Sequence, residues 1–182
     1  MSLIQKNNCK GKDCSIQSFQ GQVYSKLQLI WGADWLCYPR IYKTMNKGQD
    51  GNTFFKPEYM DGTFEYETDT LFNDKVDVVS FFLAGDSFDL SETRPTGTIS
   101  LIFSCDVTKL YPNVLHKADE EMHVDILNTV TEIGGTSWEL QNIETGVDNV
   151  YSEFKKEGLE WSSISHRHLV RLNFEVNYST NC

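Results

Sequence analysis

The closing segment "HLVRLNFEVNY" constrains this chain more than any other stretch. Val170, Leu172, Phe174, Val176 and Tyr178 alternate without a break with Arg171, Asn173, Glu175 and Asn177. A strand points successive side chains to opposite faces, so a period of two predicts a strand with one apolar and one polar face. That apolar face must be buried. The rest of the chain therefore has to supply partner strands and a layer that covers them.

Partner strands are readable. "VDVVSFFLAG" and "TGTISLIFSCDV" are β-branched and aromatic runs on either side of the turn-rich "DSFDLSETRPTG". They predict two buried central strands joined as a long hairpin, with an acidic exposed loop between them. "NTFFKPEYMDGTFEYETD" predicts a second hairpin that turns at Asp61 and Gly62. Within it Pro57 has no amide to donate, which marks an edge or an irregular strand. "TSWELQNI" alternates like one more strand.

The covering layer comes from two amphipathic segments. Ile16, Phe19, Val23, Leu27 and Ile30 recur at three- and four-residue steps over residues 16–31, with Ser15 as a cap and Gly32 as a stop. After Pro112, a second stripe of Met122, Ile126, Val130 and Ile133 ends at Gly134 and Gly135. Val147, Val150, Tyr151 and Phe154 predict a short helix or helical turn. The expected fold class is α+β. A single domain over residues 15–182 would hold a mostly antiparallel β-sheet with two main helices packed on one face, after a flexible N-terminal tail over residues 1–14.

Composition narrows function. A chain of 182 residues, 40% of them hydrophobic, can bury one sizeable core. Its net charge of −10 repels phosphate backbones and no basic run offsets it, so direct nucleic-acid binding is not expected. Neither a signal-peptide core nor a membrane-spanning apolar run is readable, which predicts a cytoplasmic origin without a membrane partner. The cysteines (Cys9, Cys14, Cys37, Cys105 and Cys182) are odd in number and form no CxxC pair. Reduced thiols are expected, with Cys9 and Cys14 in the tail.

Several constellations invite chemistry. In "HKADEEMHVD", His116, Asp119 and His123 share one sector of a helix if the helix starts early enough, the donor set of a metal site. Asp119, Glu120 and Glu121 also suit the positive end of a helix that starts at Asp119, which would leave His116 outside. "LAGDSFDL" resembles the nucleophile block of GDS-type esterases at Ser87, but no DxxH block follows to complete a triad. "SHRHLVRL" puts His166 and His168 two residues apart at a strand entrance. Two polar stretches are candidate interaction loops: residues 43–54, with Lys43, Asn46, Lys47 and Asp50, and residues 85–97, with Asp86, Asp89, Glu92 and Arg94.

As a whole the chain resembles structural proteins of tailed bacteriophages and prophages. The segments that carry the likeness are "YPRIYKTMNKGQDGNTFFKPEYMDGTFEYE", "VVSFFLAGD", "ISLIFSCDVTKLYPNVLHKADEEMHVDIL", "IETGVDNVYSEF" and "HLVRLNFEVNY", most of the chain beyond its N-terminal tail. Within that group it is similar to tail-terminator and head-to-tail completion proteins. The resemblance implies a non-enzymatic α+β domain without catalytic residues, cofactor or metal. It implies assembly into a ring with other copies and with phage head or tail proteins, in the host cytoplasm and then in the virion tail or neck. Two other readings stand beside it. One is a small hydrolase using Ser87 or a metal held by His116, Asp119 and His123; the other is a monomeric host binding domain.

Overall fold

The computed structural model describes residues 2–47, 51–60, 66–67, 73–85, 95–114, 118–154 and 166–178. The closing strand, β8 (Arg167–Asn177), forms as its alternation requires: Val170, Leu172, Phe174 and Val176 are buried, while Glu175 and Asn177 are exposed. It lies between two antiparallel neighbours, β6 (Thr96–Asp106) and β7 (Trp138–Thr145). Its ladder with β6 runs from Asp106 opposite Arg167 to Thr96 opposite Asn177. β5 (Val78–Ala84) pairs antiparallel with β6, the long hairpin read from the sequence.

Beyond β5 comes β2 (Trp35–Lys47), parallel to it, and then β3 (Thr53–Met60) and the short β4 (Tyr66–Glu67), both antiparallel. The sheet order is β4-β3-β2-β5-β6-β8-β7, and β1 (Ser2–Leu3) adds parallel to β2. The architecture is α+β with a mostly antiparallel sheet, as expected.

Two long helices cover one face. α1 (Lys12–Trp31) contributes Ile16, Phe19, Val23 and Leu27; α3 (Asp119–Gly134) contributes Met122, Ile126 and Val130. These meet Phe82, Leu101, Phe103, Leu172 and Phe174 of the sheet. At the centre Phe19 stacks on Trp138, ring centroids 4.1 Å apart, and meets Phe82 and Phe174 edge-on. Aromatic contacts of this kind each contribute about 0.5–1.5 kcal/mol beyond the area they bury. Gly134 makes the close approach possible, since a Cβ there would lie 3.3 Å from the Trp138 Cβ.

The second face carries a smaller core. Val79, Phe81, Leu83, Ile102 and Leu169 lie under Val150, Tyr151 and Phe154, which belong to or follow the single-turn α4 (Val147–Val150). Tyr38, Ile41 and Tyr59 extend this core toward β3. The remaining helix, α2 (Val107–Leu110), is one turn capped by Asp106, whose side chain accepts from the Thr108 amide.

Four expectations need correction. Within residues 2–14 the chain is tied to the sheet: β1 pairs with β2, the Ile4 amide donates to the Cys37 carbonyl at 2.9 Å, and α1 already starts at Lys12 with Gly11 as its N-cap. The reason is that Leu3 and Ile4 each pack against one of the two cores. Lys43, Asn46 and Lys47 lie in β2, where the ladder with β3 runs to Lys47 opposite Thr53, so the 43–54 stretch is mostly hairpin arms. Pro39, which argues against a strand, sits where the β2–β5 register shifts, between Cys37 and Arg40.

Ile30 is 55% exposed and Trp31 takes the last inward position of α1. Cys14 is disulfide-bonded, whereas Cys9, Cys37 and Cys105 are free. The arms of the "DG" hairpin do pair, at Tyr59 opposite Glu67, but its turn at Asp61 and Gly62 lies outside the described residues. Among the described residues no helix is long and apolar enough to cross a membrane.

Candidate functional site

α3 begins at Asp119, with its three acids in the first turn, where the helix dipole favours them. His116 lies outside the described residues. His123 instead meets a histidine from the other end of the sequence. Its Nε2 lies 3.0 Å from Nε2 of His168 on β8, with ring centroids 4.9 Å apart. In such a contact one imidazole donates and the other accepts, so at least one of the two is neutral.

His123 borders a cavity of about 160 Å³ lined by Glu120, Val124, Leu127, Ile143, Val170 and Leu172 among others. The walls are aliphatic, and the polar atoms come from Glu120 and His123 at the rim. Among the described residues no three or more His, Cys, Asp or Glu side chains gather where one metal could sit. His166 does not join His168: its Nε2 lies 3.6 Å from Oδ2 of Asp106.

Ser87 and Asp86 lie outside the described residues, as do Asp50, Asp89, Glu92 and Arg94. The last described residue before Ser87 is Gly85, whose amide donates to the Thr98 carbonyl at 2.8 Å. A Cβ on Gly85 would meet the Thr98 Oγ1 at 2.4 Å and the Thr98 carbonyl oxygen at 3.3 Å, so a larger residue there would displace the Thr98 side chain.

The polar face of β8 holds a network that sequence reasoning missed. Nη2 of Arg171 donates to Oε1 of Glu153 at 2.6 Å and to Oγ of Ser100 at 3.1 Å; its Nε donates to Oδ1 of Asn173 at 3.0 Å. Nζ of Lys43 donates to the other Glu153 oxygen at 2.7 Å. Burial pushes the Glu153 carboxyl up, but the hydrogen bonds and charges of Lys43 and Arg171 outweigh it and hold the group below its ordinary range. The one available signal was the charged and amide side chains in the middle of so regular a strand.

Two clefts adjoin this network. The larger, about 390 Å³, is lined by Lys12, Arg40, Tyr42, Lys43, Gly85 and Tyr178; the smaller, about 150 Å³, by Ser100, Glu153 and Arg171 among others. The cations of these walls are engaged. Arg40 lies 3.3 Å from Asp13 and 4.7 Å from the Tyr42 ring, and Lys12 donates to the Gly85 carbonyl at 3.1 Å. Among the described residues lining these clefts, no nucleophile is aligned with a base.

Apolar side chains stand exposed at both ends of the sheet. Met45 and Phe55 are directly opposite on β2 and β3 and are 66% and 43% exposed. At the far end Val124 of α3 and Ile143 of β7 are 53% and 40% exposed. No family model, no curated protein and no solved structure matches this chain.

Proposed function

We propose that this chain is a non-enzymatic structural protein of a tailed bacteriophage or prophage, a tail-terminator or head-to-tail joining component. It acts by ring-like self-association and by contact with other head or tail proteins, assembled in the bacterial cytoplasm and carried in the tail or neck of the virion. The observation that carries this reading is the β2–β3 hairpin. β2 pairs with β5 only as far as Ile41, and from Tyr42 to Lys47 its ladder is with β3. An arm of this kind that shows water an opposed Met45 and Phe55 leaves apolar area to be covered by a neighbour.

The test is solution mass by light scattering across a concentration series, with metal analysis of the same sample. A metal-free species that grows into a defined oligomer supports the proposal, and a strict monomer overturns it. A second reading, a metal-assisted hydrolase, has one observation in its favour: His123 and His168 converge through their Nε2 atoms. It predicts one tightly bound metal per chain, lost in His123→Ala and in His168→Ala. Metal-free protein rejects it.

A further inference from the structure

The two exposed apolar sites differ in shape and lie on opposite faces of the sheet. Ile41, Lys43 and Met45 alternate along β2 to one side. Ile41 belongs to the second core and Lys43 reaches Glu153, so Met45 and its partner Phe55 face the side of α4. This pair is a projection on a strand arm. The groove at the other end is a depression on the helix-covered face, between α3, β7 and β8, floored by Val170 and Leu172 of the first core and flanked by Val124 and Ile143.

We propose that the Met45 and Phe55 pair of one copy seats in the α3–β7–β8 groove of a second copy, so that copies overlap head to tail like tiles. The proposal rests on the self-association reading above and names its surfaces. Three observations converge on a second copy as occupant. The projection and the depression sit at opposite ends of the sheet and on opposite faces, so one copy lapping the next brings them together without turning either sheet over. Both are apolar, and the depression is of side-chain size, about 160 Å³. Their rims carry opposite charge, with exposed Lys47 beside Met45 and exposed Glu120 on the groove.

The charge matters because copies of net charge −10 repel one another on average, and a local attraction must offset that repulsion. A contact between two different patches is heterologous. Repeated with a rotation that closes, it makes a ring; without closure, it makes a filament. A stable joint buries on the order of 1,600 Å² in total, so the hairpin flanks and the outer side of α3 are part of it as well.

The experiment is sedimentation velocity on the full chain across a concentration series, with circular dichroism to confirm that each variant folds. Phe55→Glu and Val124→Glu alter opposite halves of the joint, and each is expected to weaken association by at least about tenfold. Leu29→Glu is the control, since Leu29 is 88% exposed on α1 and belongs to neither half; it should leave association unchanged. Lys47→Glu should weaken association, and adding Glu120→Lys should restore it. Oligomers that persist in both Phe55→Glu and Val124→Glu overturn this joint and leave the self-association reading standing. A wild-type chain that stays monomeric at every concentration overturns both.

Discussion

The two faces of the sheet are held by different physics. On the helix-covered face, Phe19, Phe82, Trp138 and Phe174 form one aromatic cluster and Trp31, Trp35 and Phe103 a second, and the indole N–H groups of the second find acceptors. Nε1 of Trp35 donates to Oγ of Ser80 at 2.9 Å, and Nε1 of Trp31 to Oδ2 of Asp125 at 3.0 Å. On the other face a smaller apolar core is bounded by two guanidinium centres. One is Arg171, which holds Glu153. The other is Arg167, only 8% exposed, which donates to the carbonyls of Ser104, Asn73 and Val76. The first face gains chiefly from burial of apolar and aromatic area. The second gains from charges held at a few points, which makes it specific and sensitive to acid.

Matched truncations sharpen that contrast. Phe19→Ala opens a cavity among rigid aromatic rings and should cost about 3–5 kcal/mol, read as a lower urea midpoint with unchanged slope. Phe154→Ala, beside the single-turn α4, should cost less, because a short segment can move in to fill the space. Equal losses would break the comparison.

Arg167→Met comes next. It keeps most of the side-chain volume but strips partners from the carbonyls of Ser104 on β6 and of Asn73 and Val76 ahead of β5. Leaving buried acceptors unsatisfied should cost about 1–3 kcal/mol. The loss should also appear as faster amide exchange at Asp106, whose N–H bonds to the Asp77 carbonyl at 2.8 Å in the same corner. A stable variant with unchanged exchange would mean that Arg167 only fills space.

The helix-covered face was legible in the sequence because its elements are periodic and buried along their whole length. The stripes of α1, α3 and β8 each repeat at the period their backbone imposes, and β5 and β6 stand out as unbroken buried runs. β2 was not legible. Pro39 interrupts it, and beyond Tyr42 it runs lysine, threonine, methionine, asparagine and lysine, so no contrast of polarity marks its pleat. β1 is two residues long and pairs with a parallel partner more than thirty residues away, which no local pattern reveals.

The candidate sites followed the same rule. His123 and His168 each stood out in the sequence, but their contact depends on how α3 crosses β8. Arg171 and Glu153 belong to segments with opposite local logic, a regular strand and the end of a turn, and only the tertiary fold joins them.

The smallest predicted effect tests the electrostatic character of the second face directly. The Glu153 carboxyl is held below its ordinary range in the folded chain, so the folded state binds its proton less readily than the unfolded state does. The stability it contributes is therefore present above the unfolded value, near 4.5, and is lost as pH falls through the folded value. Glu153→Gln removes the charge and retains the shape. The variant should be less stable than the parent at pH 7, and the two should converge in urea midpoint below pH 4. Because Glu153 is partly exposed, water weakens the pair, and the gap at neutral pH should be modest. Phe19→Ala should show no such convergence, since its loss has no titrating partner. A gap for Glu153→Gln that stays constant from pH 7 down through the acid range would place the stabilisation in shape and not in charge, and the two faces would then be held by the same means.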